Sequence, residues 1–87
     1  MIIKLHKQFI KQFKKLDNSV KASFVVRRDL FLQSPMHPLL GDHPLHGEYV
    51  NHRSFNVTGH YRLIYKKLDT DIVLFYAIGT HHELFGS

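Results

Sequence analysis

Seven consecutive residues, Ile72-Val73-Leu74-Phe75-Tyr76-Ala77-Ile78, carry no charge. Strand side chains alternate between the two faces of a sheet, so a strand of this composition needs cover on both. The run therefore predicts a central strand. Two other strand-like runs precede it, His52 to Thr58 and His60 to Lys67, with turns marked by Gly59 and by Asp69-Thr70. Turns that short predict antiparallel neighbours. In the second run Tyr61, Leu63 and Tyr65 share one face, while His60, Arg62, Ile64 and Lys66 share the other. One of these faces is expected to pack on helices and the other to stay half open.

The first third has a different rhythm. Ile2, Ile3 and Leu5 form a short apolar run, after which Phe9, Ile10, Phe13 and Leu16 recur at helical spacing. Asp17-Asn18-Ser19 supplies cap-forming side chains, and Val20, Phe24, Leu30 and Phe31 outline a second helix that the Ser34-Pro35 step ends. Lys11, Lys14, Lys15, Lys21, Arg27 and Arg28 fall mostly off this stripe and read as a solvated face. From Pro35 to Gly47 three prolines and two glycines predict a loop across the surface, a length that in a small domain is often functional. The expected fold is α+β: an N-terminal strand, a helical hairpin, then a twisted antiparallel sheet, as a single domain over residues 1–87.

A chain of 87 residues removes only roughly 60–65% of its unfolded surface from water, so its active surface is expected to be shallow. With 12 Lys and Arg against 7 Asp and Glu, the net charge of +5 favours a polyanionic partner. There is no Cys, which excludes a disulfide framework and a thiolate metal site. The N-terminal apolar run is too short for a signal peptide, and no stretch approaches the ~20 apolar residues needed to span a bilayer. A cytoplasmic protein without membrane contact is expected.

RNA can be cut without a metal when a base takes the 2′-hydroxyl proton, an acid protonates the leaving 5′-oxygen, and a cation stabilises the phosphate. Histidine serves the first two roles near neutral pH, and the planar, permanently charged guanidinium serves the third. The C-terminal half holds His43, His46, His52, His60, His81 and His82, with Arg53 and Arg62 on adjacent predicted strands. Each has a duller reading. His43 before Pro44 can be a turn residue, His81 a cap for the last turn, His60 a polar flank of a turn, and Arg62 the ion-pair partner of Glu48 or Asp71. Tyr61 and Tyr65 read as core. His46 and His52 flank Glu48, but their spacing matches no zinc pattern. No metal and no other cofactor is expected.

Three segments carry a resemblance: Asp42-His43-Pro44-Leu45, Leu63-Ile64-Tyr65, and Gly79-Thr80-His81-His82-Glu83-Leu84-Phe85. In order and spacing they resemble the RelE/ParE superfamily of bacterial toxins, particularly its YafQ-like branch. The resemblance implies a toxin of a type II toxin–antitoxin pair, an endoribonuclease acting on mRNA at the ribosome, with a cognate antitoxin as partner. By the same resemblance His43 and His81 are catalytic and Phe85 is a terminal aromatic that holds substrate. Asn56 stands where that pattern has a further histidine, and His60-Tyr61 where it has Asp-Trp. His60 is thus a candidate third proton carrier, and Arg62 falls where many RelE-like toxins place a phosphate-binding arginine. The expected site comprises His43, His60, His81 and Arg62 for catalysis, and Arg53, Asn56, Tyr61 and Phe85 for substrate. Two other readings stay open: a ParE-like toxin that inhibits DNA gyrase by binding, and a catalytically degenerate member that only binds an antitoxin.

Overall fold

Apolar spacing in the first third produces the expected strand and helical hairpin. In the computed structural model, which describes residues 1–86, β1 (Ile2–Leu5) leads into α1 (Lys7–Lys14) and α2 (Asn18–Gln33). Both helices start at side-chain caps, which satisfy amides that have no partner within the helix. His6 Nδ1 accepts from the Gln8 amide, and the Asp17 carboxylate accepts from the Ser19 hydroxyl and the Val20 amide. Those bonds, the Ser19 hydroxyl's first, hold the exposed Asp17 carboxyl below its usual range. Helix α2 gives way at Ser34, because a proline disfavours helical backbone in the residue before it.

The Pro35 to Gly47 segment is more ordered than a plain loop. It contains a 3-10 turn at Pro38–Leu40, closed by Gly41 with a left-handed φ of 54°, and a two-residue strand β2 (His43–Pro44). Proline, which has no N–H to give to a ladder, is tolerated here because an edge strand leaves one side unpaired. A second 3-10 turn, Gly47–Tyr49, precedes β3 (Arg53–Asn56), β4 (Tyr61–Asp69) and β5 (Ile72–Thr80). The chain then turns into a short α3 (His81–Phe85) that the apolar pattern did not announce. Thr80, not His81, is its cap: the Thr80 hydroxyl accepts from the Glu83 amide and the Glu83 carboxylate from the Thr80 amide, a reciprocal pair.

The five strands lie in the order β1-β5-β4-β3-β2. Strands β2 to β5 are antiparallel neighbours as expected, whereas β1 pairs parallel with β5, from Ile2 opposite Ile72 to Leu5 opposite Phe75. The sheet is therefore mixed, and the apolar β5 has partners on both edges. Tyr65 faces Phe75 and Ile64 faces Ala77, so Tyr76 has no opposite number and forms a bulge.

The main core fills the space between the sheet and the hairpin. Phe31 is 1% exposed and lies 5.0 Å from Phe55, 4.9 Å from Tyr65 and 6.0 Å from Phe75, ring centre to ring centre. Leu63 and Tyr65 belong to this core, while Ile64 joins Ala77 and Leu84 in a smaller cluster on the other face, partly covered by Leu45, Tyr49, Tyr76 and Phe85. Alternation along β4 thus divides the molecule into a helix-packed side and a shallow second side. Among the described residues no helix is long and apolar enough to cross a membrane. Phe31→Ala is expected to lower the free energy of unfolding in urea by about 3–5 kcal/mol, a large part of the 5–15 kcal/mol typical of such domains.

Candidate active site

Arg62 anchors the shallow side. Its register on β4 sets it opposite Asn56 on one neighbour and Gly79 on the other. Its Nε donates to the buried Ser54 hydroxyl at 2.8 Å, and Nη1 donates to Asn56 Oδ1. Nη2 reaches the Gly41 carbonyl at 3.2 Å and lies 3.3 Å from His43 Nδ1. Every acceptor in this set is neutral. Partial burial lowers the guanidinium's pKa from its ordinary value, yet an arginine stays charged at physiological pH. Among the described residues it makes no ion pair with Glu48, Asp71 or any other carboxylate. A partly desolvated cation held by neutral groups can receive an anion.

Four of the expected residues converge beside it. His43, Arg62, His81 and Phe85, together with Leu45, line one open hollow of about 280 Å³. His43 comes from β2 and His81 from the first turn of α3, where its ring lies 4.9 Å from that of Phe85. Two hollows of about 390 Å³ each lie elsewhere, one walled by Ile3, Phe9 and Phe24 and the other by Ala22, Val26 and Val57, and no histidine lines either. Size is therefore a poorer guide here than chemistry.

The other expected residues are distributed differently. Asn56 does not line the hollow but holds Arg62 from behind. His60 lies in the turn before β4; its carbonyl accepts from the His81 amide at 3.3 Å, while its ring is not part of the wall. Tyr61 lies on the opposite face, packed on the main core beside Gln12, Leu16 and Ile78, because it is one residue from Arg62 on a strand. Arg53 is committed elsewhere: its Nε donates to Asp42 Oδ1 at 2.7 Å.

That carboxylate was the residue sequence reasoning passed over. The Asp42 side chain is 1% exposed and also accepts from the Tyr65 hydroxyl at 2.6 Å. Its hydrogen bond raises the Arg53 pKa, and burial, followed by the bond to Asp42, pushes the Tyr65 phenol well above its ordinary range. The signal was present, since Asp42 directly precedes His43, but nothing in the spacing said which cation and which hydroxyl it would meet. Gly41 was read only as a loop residue, without its contact with Arg62. Among the described residues no group of three His, Asp or Glu side chains is placed to hold a metal ion.

The family model described as a bacterial toxin of type II toxin–antitoxin system, YafQ, matches residues 1–86. Among solved structures, YafQ from E. coli strain BL21(DE3) is similar at a TM-score of 0.82 and 27% identity, over 97% of this chain and 97% of that one. The E. coli DinJ–YafQ complex contains a chain similar at a TM-score of 0.72 and 28% identity, again over 97% of each. A YoeB/ParE toxin from Agrobacterium tumefaciens, at 14% identity and a TM-score of 0.76 over 93% of this chain and 99% of that one, shares the fold. No curated protein sequence matches.

Two outcomes follow from this geometry. A Cβ at Gly41 would sit 2.8 Å from Asn56 Nδ2, on a backbone already left-handed at φ 54°. Gly41→Ala should therefore cost about 1–2 kcal/mol in urea unfolding and, by moving Asn56, disturb Arg62. The second concerns alkali. Because the folded state holds the Tyr65 proton more tightly than the unfolded chain does, its contribution is complete below about pH 10 and is lost as pH rises further. The urea midpoint should begin to fall only above about pH 10 and keep falling as pH rises further, and Tyr65→Phe should flatten that slope.

Proposed function

Since this chain belongs to the YafQ family of toxins from type II toxin–antitoxin systems, we propose that it is a metal-independent endoribonuclease that cleaves mRNA, at the ribosome. The observation that carries the proposal is the shared hollow of His43, Arg62, His81 and Phe85. Two imidazoles and a guanidinium around one space are the parts that transesterification of RNA needs.

In this reaction one imidazole removes the proton of the 2′-hydroxyl, and the oxygen attacks the adjacent phosphorus. The developing negative charge on the phosphate meets Arg62, whose position is set by Ser54, Asn56 and Gly41 before substrate arrives. The bond to the 5′-oxygen breaks, and the second imidazole gives that oxygen a proton. One proton is taken and one returned, leaving a 2′,3′-cyclic phosphate and a 5′-hydroxyl. His43 and His81 share these duties. Phe85 offers a ring against which a base beside the cut can stack. Asn56 serves indirectly, by orienting Arg62, and His60, whose backbone carbonyl accepts from the His81 amide, is proposed as an auxiliary proton carrier from outside the wall. Arg53 supports the site through Asp42 rather than through RNA.

The partner proposed is a cognate antitoxin, in keeping with the DinJ–YafQ complex of the E. coli relative. A segment of opposite charge lying over Arg62 and the histidines would block the hollow, and its release would open it. RNA affinity should fall steeply with salt, because phosphate binding displaces counterions.

His81→Gln is expected to lower mRNA cleavage by about 10²–10⁴-fold while leaving the fold intact, with growth arrest on expression lost in parallel. Unchanged toxicity and cleavage would remove this mechanism. Intact cellular RNA alongside failing DNA supercoiling would instead identify a gyrase-binding toxin.

A further inference from the structure

The shallow side of the sheet carries a file of aromatic rings of which the chemistry above uses only Phe85. It starts at the hollow, where Phe85 lies 5.9 Å from Tyr49, and continues with Tyr76 at 6.4 Å from Tyr49. Tyr76 in turn lies 5.4 Å from His52 and 4.8 Å from His6. The rings stand tilted or edge-on to one another, and all five residues are half-buried, so each keeps part of its surface open. The β5 bulge contributes directly. Tyr76 has no partner across the ladder, and it lies beside Ala77 on the same shallow side.

Cations flank the file. Lys4 and Lys66 both stand opposite Leu74, one from each neighbouring strand. Their preceding residues Ile3 and Tyr65 pack in the main core, so alternation turns both lysines to the shallow side. Neither makes an ion pair among the described residues, and Glu48, beside Tyr49, is the acidic neighbour.

Half-open rings spaced by flexible cations, continuous with a phosphate-binding hollow, fit single-stranded nucleic acid, whose unpaired bases stack on aromatic side chains. We propose that this surface binds the RNA strand flanking the scissile phosphate: bases stack along Tyr49, Tyr76, His52 and His6, and the backbone passes Lys4 and Lys66. The choice of RNA as ligand rests on the ribonuclease reading. Tyr49 also donates to the Leu84 carbonyl at 3.3 Å, so the file is tied to the helix that carries His81.

The test uses the whole chain and a fluorescein-labelled 2′-O-methyl oligonucleotide of about eight nucleotides, which stacks but cannot be cut, with binding read by anisotropy. Tyr76→Leu keeps apolar bulk over Ile64 and Ala77 and removes the aromatic face, so a packing role alone would leave affinity unmoved. The expected result is about tenfold weaker binding with an unchanged salt slope, whereas Lys66→Ala lowers the slope by about one. His52→Leu gives the same readout if the Tyr76 variant fails to fold. Affinity equal to the parent's for both leucine variants, with Arg62→Ala still weakening it, overturns the proposal. So does a loss seen only with a labelled poly-glutamate peptide titrated in parallel, which would make the surface a protein-docking site. A parent that binds through Tyr76 yet cuts no RNA refutes the nuclease reading and leaves this surface standing.

Discussion

Asp42 is a carboxylate at 1% exposure, and the shape of the candidate site depends on how its charge is satisfied. An unpaired charge in that place would be prohibitively costly, so the fold must bring it a cation and a hydroxyl. Arg53 comes from β3 and Tyr65 from β4, which fastens the loop to two strands at once. With Asp42 fixed, its neighbours Gly41 and His43 have no freedom to wander, and both meet the same arm of Arg62. A single buried acid thereby sets the distance between an imidazole and a guanidinium that lie 19 residues apart.

The two arginines of the sheet illustrate how environment assigns roles. Arg53 has a carboxylate at 2.7 Å and is raised in pKa by it; Arg62, one strand away, is surrounded by a hydroxyl, an amide and a carbonyl and is lowered by burial. One is spent internally. The other has charge left to offer a ligand, and only the second faces the hollow.

Much of this was readable from residue order. The period of two in Tyr61-Arg62-Leu63-Ile64-Tyr65 separates the helix-packed face from the shallow face correctly, and the apolar β5 does have strands on both edges. His43, Arg62, His81 and Phe85 were brought together by motif resemblance, which spacing alone could not have done across 42 residues of chain from His43 to Phe85. What escaped was set by tertiary contact. β2 is two residues long and contains proline, so it has no periodicity to detect. α3 is one short turn stabilised by a capping pair and by Leu84 on the second cluster. The parallel attachment of β1 depends on residues about seventy positions away, and the shift at Tyr76 is invisible until two strands are laid side by side. Tyr61, placed in the substrate set by its neighbour in a motif, was already assigned to the core by alternation, and the pleat decides in favour of the core.

Strand β1 pairs with β5, and the last turn closes over the second cluster. Both events wait for residues 72–85 to be synthesised. During translation the first helices can form early, but the opening strand has no partner until residues 72–75 emerge, and the hollow has no far wall until residue 85 does. Long-range closure of this kind is slow compared with local folding. A growing chain of this protein therefore cannot complete the wall of the hollow until Phe85 has been added.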